Sequence, residues 1–306
     1  MSDPKNFSCD IETGVCAPSG EGILEEIHLN KPQKVQLIYY TDPICSACWA
    51  IEPELKKFKL EYGDYVDIEY KMGGLLPGWE GFADKANGIG QPSDVAPHWD
   101  EVGEHTGMSI DGDVWLEDPL SSSFPPSIAF KAMQKQGEEK ALDFLRRIRE
   151  MVFLEKKNIT KEPVLLKAVE DCDGDKAQFQ TDYHSEQVKQ SFHSEMLAGR
   201  QMGVRGFPTF IFVGTEGTGF KISGMSGYAN YELALERTVG YKVNPQPIPF
   251  NELELLKKYR YLATKEIAFV LDQNEAETLS ALNKLEQQGL VQKVKQKYAF
   301  FWRIVD

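Results

Sequence analysis

The sequence predicts an α/β protein: a small sheet with flanking helices, interrupted by a helical insertion and followed by a smaller α+β module. Three observations predict it. Short runs with strand character, "VQLIYY" (35–40), "VDIEYKM" (66–72), "TFIFV" (209–213) and "FKISG" (220–224), are spread along the chain. Between them lie segments whose apolar residues recur every three or four positions. A proline-rich link, "NPQPIPF" (244–250), sets off the residues that follow.

Taken in order, residues 1–33 are polar with scattered glycine and proline and read as an arm, with local structure only in "GILEEIHL" (22–29). "VQLIYY" ends at an Asp-Pro turn, so it reads as a buried strand. A helix opens near Cys45, carries Trp49, Leu55, Phe58 and Tyr62, and ends by Gly63, with Pro53 expected to kink it. "VDIEYKM" alternates with period two and stops at Gly73-Gly74. Residues 73–126 read as loop-rich. Ala141, Leu145, Ile148 and Val152 then mark a helix, "PVLLKAVED" (163–171) a second and Val188, Phe192 and Met196 a third. A hairpin, 209–224, and a helix, 231–240, complete this part. The expected division is an arm at 1–33, a main domain at 34–243 with its insertion at about 75–175, and a linker with the small module at 244–306.

Composition narrows the function classes. With 34 basic and 47 acidic side chains the 306-residue chain has a formal net charge of -13, which disfavours non-specific attraction to nucleic acid or anionic lipid. Neither a secretion signal nor a membrane span is read in the sequence, and the expectation is a soluble cytoplasmic protein. In a reducing compartment a cysteine pair is more often catalytic or metal-binding than a permanent staple.

The chemistry concentrates in "TDPICSACWAIEP" (41–53). A helix start directs free N–H groups at Cys45, so its thiolate is expected to be stabilised and to act as nucleophile. Cys48, nearly one turn on, can resolve a mixed disulfide. Two cysteines also make half of a structural zinc site, which is the alternative. Far along the chain, "GVRGFPTFIF" (203–212) delivers Phe-Pro-Thr into a strand. Pro208 there suits a cis peptide bond that would expose the Phe207 backbone to an extended substrate, and a trans turn is the plain alternative.

Together, "CSAC", "GVRGFPT" and the helical insertion between them resemble the thioredoxin superfamily, specifically its DsbA-like and FrnE-like branch, over roughly residues 34–240. The resemblance implies a thiol-disulfide oxidoreductase without a cofactor, in which Cys45 attacks and Cys48 resolves. Phe207, Pro208, Thr209 and Trp49 would contact substrate. Its implied partners are protein or peptide thiols and disulfides, with a low-molecular-weight thiol or a thioredoxin system as electron partner. Met72-Gly73-Gly74 also matches the DsbA pattern, and Glu52 falls where relatives often have an acid. Ser46-Ala47 between the cysteines matches neither DsbA nor thioredoxin, so the redox direction stays open. A related branch, the SpxH (YjbH) adaptors, hands a transcription regulator to the ClpXP protease and implies a second reading as a protease adaptor. A third is a redox-sensing regulator. Cys9 and Cys16 in the arm are candidates for a second redox pair. The adaptor branch has a zinc-associated arm, but with no histidine before His28 a four-ligand site would need ligands from elsewhere.

Other candidates read as bland. Cys172, alone among acids in "EDCDGD", is expected to be an inert thiol, and that run lacks calcium-loop spacing. No catalytic role is assigned to His98, His105, His184 or His193. Trp79, Trp99 and Trp115 could form a peptide platform, with core packing the default. At the carboxyl end, two helices around "DQNE" and the strands "GLVQKV" and "YAFFWRIV" resemble a winged helix. Residues 250–306 carry nine basic and eight acidic side chains, and the second helix is acidic. The module is therefore expected to dock a protein or a second copy rather than DNA.

Overall fold

The computed structural model describes residues 7–9, 16–18, 34–85, 87–214 and 218–305. In the arm, strands β1 (Phe7–Cys9) and β2 (Cys16–Pro18) pair antiparallel with Cys9 opposite Cys16. The arm is a contact unit separate from Lys34–Asp306.

In the larger unit, β3 (Val35–Thr41) leads into α1 (Ser46–Ala50), α2 (Glu52–Tyr62) and β4 (Val66–Met72). β3 and β4 are parallel, Leu37 facing Ile68, as a helical crossover requires. The expected single helix from Cys45 to Gly63 is two: Pro53 has no N–H and crowds the preceding turn, so α1 stops at Ala50 and α2 restarts with Pro53 in its first turn. Later, β5 (Thr209–Val213) runs antiparallel to β3 and pairs with β6 (Gly219–Ser223), giving the order β4-β3-β5-β6. Tyr39 stacks on Phe210 at 4.4 Å and meets Tyr70 edge-on at 5.1 Å, which ties three strands through one face.

Between β4 and β5 lie α3 (Pro92–Thr106), α4 (Val114–Glu117), α5 (Phe124–Gln134), α6 (Glu138–Phe153), α7 (Glu162–Asp171), α8 (Lys176–His184) and α9 (Glu186–Gln201). Ala141, Leu145, Ile148 and Val152 are all buried on α6. The reading of 73–126 as loop needs correction. Despite Pro97, α3 forms because Gln91 and Asp94 make a capping box, Pro92 occupies the first turn, and Val95, Ala96, Trp99 and Gly103 share a buried face. It ends on Gly107 at φ 73°, which glycine adopts without strain. Trp99 and Trp115 are core residues, 2% and 3% exposed and edge to face at 5.2 Å.

After α10 (Tyr228–Val239), the carboxyl-terminal segment runs α11 (Glu252–Tyr259), β7 (Tyr261–Ala263), α12 (Thr264–Val270), α13 (Glu275–Gln287), β8 (Val291–Lys295) and β9 (Phe300–Ile304), with sheet order β7-β9-β8. It does not hang free behind its proline-rich link. Neighbouring residues of β9 serve two cores, because successive side chains of a strand point to opposite faces. Phe301 joins the main core and lies parallel to Trp49 at 6.3 Å, while Trp302 packs with Leu256, Ile267 and Leu282. Polar contacts reinforce the join. Glu266, 0% exposed, takes both nitrogens of an α6 arginine, Arg146, at 2.9 and 3.0 Å, and the Lys297 ammonium lies within 2.9–3.2 Å of Asp100, Asp111 and Asp113. Two of the three lysines of the β8–β9 hairpin are engaged within the chain, while Lys295 is exposed. Lys297 is spent on three carboxylates, and Lys293 lies 4.0 Å from the centre of the Phe300 ring. Among the described residues no helix is long and apolar enough to cross a membrane.

Candidate functional site

Cys45 is the cap of α1, and its Sγ accepts the Cys48 backbone N–H at 3.2 Å. The loop that meets it comes from 162 positions along the chain and lies at the same end of the sheet, because β5 starts at Thr209 opposite Tyr40 of β3. The Phe207–Pro208 peptide bond is cis, and the Cys45 thiol lies 3.6 Å from the Phe207 carbonyl oxygen, to which it donates. Phe207 is in turn seated on Gly73: a Cβ there would fall 1.9 Å from the Phe207 ring, so only glycine lets the two loops approach. The structure thus brings together Cys45, Cys48, Phe207 and Pro208.

Two expected contact residues lie elsewhere. Trp49 is 0% exposed, donates its indole N–H to the Ser109 carbonyl at 3.1 Å and carries Arg146 4.5 Å above its ring, so it is core rather than contact surface. Thr209 is also 0% exposed and its hydroxyl donates to the Gly206 carbonyl at 2.8 Å, shaping the loop from inside. Cys9 and Cys16 are register partners in the arm, and their side chains lie outside the described residues.

The charge distribution beneath the cysteines reverses the expectation for Cys45. Its thiol is pushed well above the ordinary range, first by burial and then by the neighbouring Cys48 sulfur. Burial also opposes ionising Cys48. It is outweighed by the Cys45 thiol, the Arg149 guanidinium, the Thr41 hydroxyl and the Asp42 backbone, which hold Cys48 below a free thiol. A five-residue helix supplies few aligned peptide dipoles, whereas Arg149 supplies a full buried charge. Arg149 is 1% exposed, pairs with Glu52 at 2.7 Å and donates to the Thr41 hydroxyl and the Asp42 carbonyl. Sequence reading missed it. The available signal was a cation next to Ile148, four residues after Leu145 on the apolar face of α6.

Asp42 was missed too. Fully buried, it accepts from the Ile44 and Leu75 N–H groups at 3.1 and 2.7 Å and from the Ser123 hydroxyl at 2.8 Å, so one carboxylate ties the cysteine loop, the Gly73-Gly74 loop and the start of α5. Burial raises its pKa to about 6 against the lowering effect of these hydrogen bonds. Beside Cys45 opens a groove of about 640 Å³, with Leu75, Trp79, Phe82 and Phe207 among its apolar lining and Lys85 and Arg205 among its charged lining. Cys172 stands apart, its thiol pushed up to about 12 by burial and then by Asp143 and Asp171. His184 lies 3.2 Å from Glu162, and His193 bonds the Lys189 carbonyl on its own helix. No cluster of three or more metal-ligating side chains occurs among the described residues.

A family model described as Thioredoxin matches residues 39–233. Over nearly its whole length the chain is similar to the ClpXP adapter protein SpxH of Halalkalibacterium halodurans, with 36% identity over 98% of this chain and 97% of that protein. The SpxH protein of Bacillus subtilis is 33% identical over 90% of each chain. Among solved structures, a candidate protein disulfide isomerase from Nitrosomonas europaea superposes with a TM-score of 0.57 at 19% identity, covering 68% of this chain and 97% of that one. The cytosolic disulfide reductase DsbM from Pseudomonas aeruginosa gives a TM-score of 0.50 at 24% identity, covering 61% and 89%. At these identities the structures establish the thioredoxin, DsbA-like fold and nothing finer. The full-length relatives overturn disulfide exchange as the main expected function, because they are named as adaptors of a protease; they point to protein partners and lend no support to the expected thiol or thioredoxin-system partners. The cysteine pair, the cis-proline loop and the carboxyl-terminal segment all lie within the aligned span, and the chain belongs to the SpxH family, built on a thioredoxin domain.

Proposed function

We propose that this chain is an adaptor that carries a client protein to a ClpXP-type protease in the cytoplasm, using the DsbA-like unit as a docking scaffold rather than as a catalyst. The observation that carries this reading is the 36% identity to a ClpXP adapter over 98% of the chain, the arm and the carboxyl-terminal segment included. The site is in keeping with it. Cys45 is 5% exposed and burial pushes its thiol up, while the groove beside it is wide and aromatic. In this reading Phe207 and the groove walls touch the client, and Cys45, Cys48 and Pro208 support the loop from below.

The test is a proteome-wide pulse-chase in cells lacking this chain, cells lacking ClpX, and the parent. Proteins whose half-life lengthens in both deletion strains are purified and offered to ClpXP with and without the chain. Degradation should require the chain and should survive its Cys45→Ser/Cys48→Ser double variant. Finding no protein stabilised in both strains would overturn the proposal.

A further inference from the structure

A second cavity, of about 430 Å³, opens where α2, α6, the segment after α7 and the corner between α11 and β7 meet. Three acids in its wall are already held by arginines: Glu52 by Arg149 at 2.7 Å, Glu150 by Arg146 at 2.7 Å and Asp171 by Arg147 at 2.8 Å. The lysines are not matched in this way. Lys59 makes no ion pair among the described residues, and its ammonium lies 4.7 Å from the centre of the Tyr70 ring. Lys258 likewise has only the Phe250 and Tyr259 rings, at 5.9 and 5.7 Å. Lys56 reaches its carboxylate, Glu266, no closer than 3.6 Å. Beside them Arg149 keeps a buried Nε with no hydrogen-bond partner.

For the partly buried Lys59 and the buried Arg149 Nε, an unmatched donor costs free energy unless something accepts from it, while the exposed Lys258 stands at the mouth of the cavity. Burial lowers the Lys59 pKa, with Glu52 offsetting part of the effect. Two further acids of the lining, Asp143 and Asp173, repel an anion that spreads across the cavity, so the occupant must be compact. We infer that this cavity binds a small phosphoryl anion, the size of phosphate or pyrophosphate, held by Lys56, Lys59 and Lys258. Because Lys56 and Lys59 belong to α2 and Lys258 to α11, the anion would bridge the thioredoxin unit and the carboxyl-terminal segment. The inference does not depend on the adaptor reading.

The test is calorimetric titration of the full chain with inorganic phosphate, pyrophosphate and ADP, against sodium chloride at matched ionic strength. Saturable binding is expected, and Lys59→Met and Lys258→Met should each weaken it about tenfold, the loss of one charge-assisted contact. Methionine keeps an apolar stem against the rings, and Lys258 is exposed, so that variant can be made without disturbing a core. Preference for ADP would identify a nucleotide as the source of the phosphoryl group, and preference for pyrophosphate a free anion. Binding no different from chloride, or unchanged in the Lys59→Met/Lys258→Met double variant, would overturn the inference.

Discussion

Glu266→Gln should destabilise the chain by about 2–3 kcal/mol, because it deletes the one fully buried carboxylate that joins α12 to α6 and α2. Glu266 is 0% exposed, binds Arg146 through both oxygens, lies 3.6 Å from Lys56 and accepts the Ala263 N–H at 2.8 Å. Glutamine preserves the shape and can still accept from Ala263, so the substitution isolates the charge. Breaking a buried ion pair on one side typically costs about 3–5 kcal/mol. The lower figure applies here since Arg146 keeps Glu150 at 2.7 Å and Glu52 at 3.8 Å. At roughly 2–4 °C per kcal/mol for a chain of this size, the melting temperature should fall by about 4–12 °C. Urea unfolding at pH 7 with calorimetry on the same samples measures both quantities. A double-mutant cycle with Arg146→Met then isolates the pair. A loss below about 0.5 kcal/mol, or the two substitutions adding within about 0.3–0.5 kcal/mol, would refute the claim that this charge cluster fastens the two cores together.

Two further outcomes follow from the site. Folding raises the Asp42 pKa from 3.8 to about 6, so its contribution to stability is fully present below about pH 4 and is lost as pH rises through about 6. The shift of about two units corresponds to about 3 kcal/mol. Asp42→Asn should flatten the stability profile between pH 4 and 6, and identical slopes for variant and parent would show that Asp42 does not titrate this way. Gly73→Ala places a methyl group on the Phe207 ring and should lift the loop off Cys45. Alkylation of Cys45, followed by mass spectrometry, should then run at least several-fold faster, and an unchanged rate would contradict the close packing of the two loops.

The cysteine pair, its place at a strand-to-helix corner and the proline loop that meets it were legible because each is written locally, in residue type and in period. The SpxH branch was legible as a resemblance, but the choice between enzyme and adaptor was not. Similarity to full-length relatives carried that choice, and the setting of the thiols depends on residues brought up from elsewhere. Arg149 arrives from α6, 108 positions beyond Thr41, and Phe207 meets Cys45 from 162 positions along the chain. Helix α3 was hidden by Pro92 and Pro97, since its stability comes from a buried face that exists only once α1 and the Trp99–Trp115 contact are in place.

By itself, then, the sequence determined the strands of the main sheet, several of the helices, the alternation that makes β9 two-faced and the motif that names the superfamily. Tertiary structure alone decided that a buried arginine sits beneath the cysteine pair, that Trp49 is core, and that the last helices and strands share a core with the rest. The physical reason is range. Periodicity and turn chemistry act over a few residues, whereas desolvation and the pairing of buried charges depend on everything packed within several ångströms, whatever its distance along the chain.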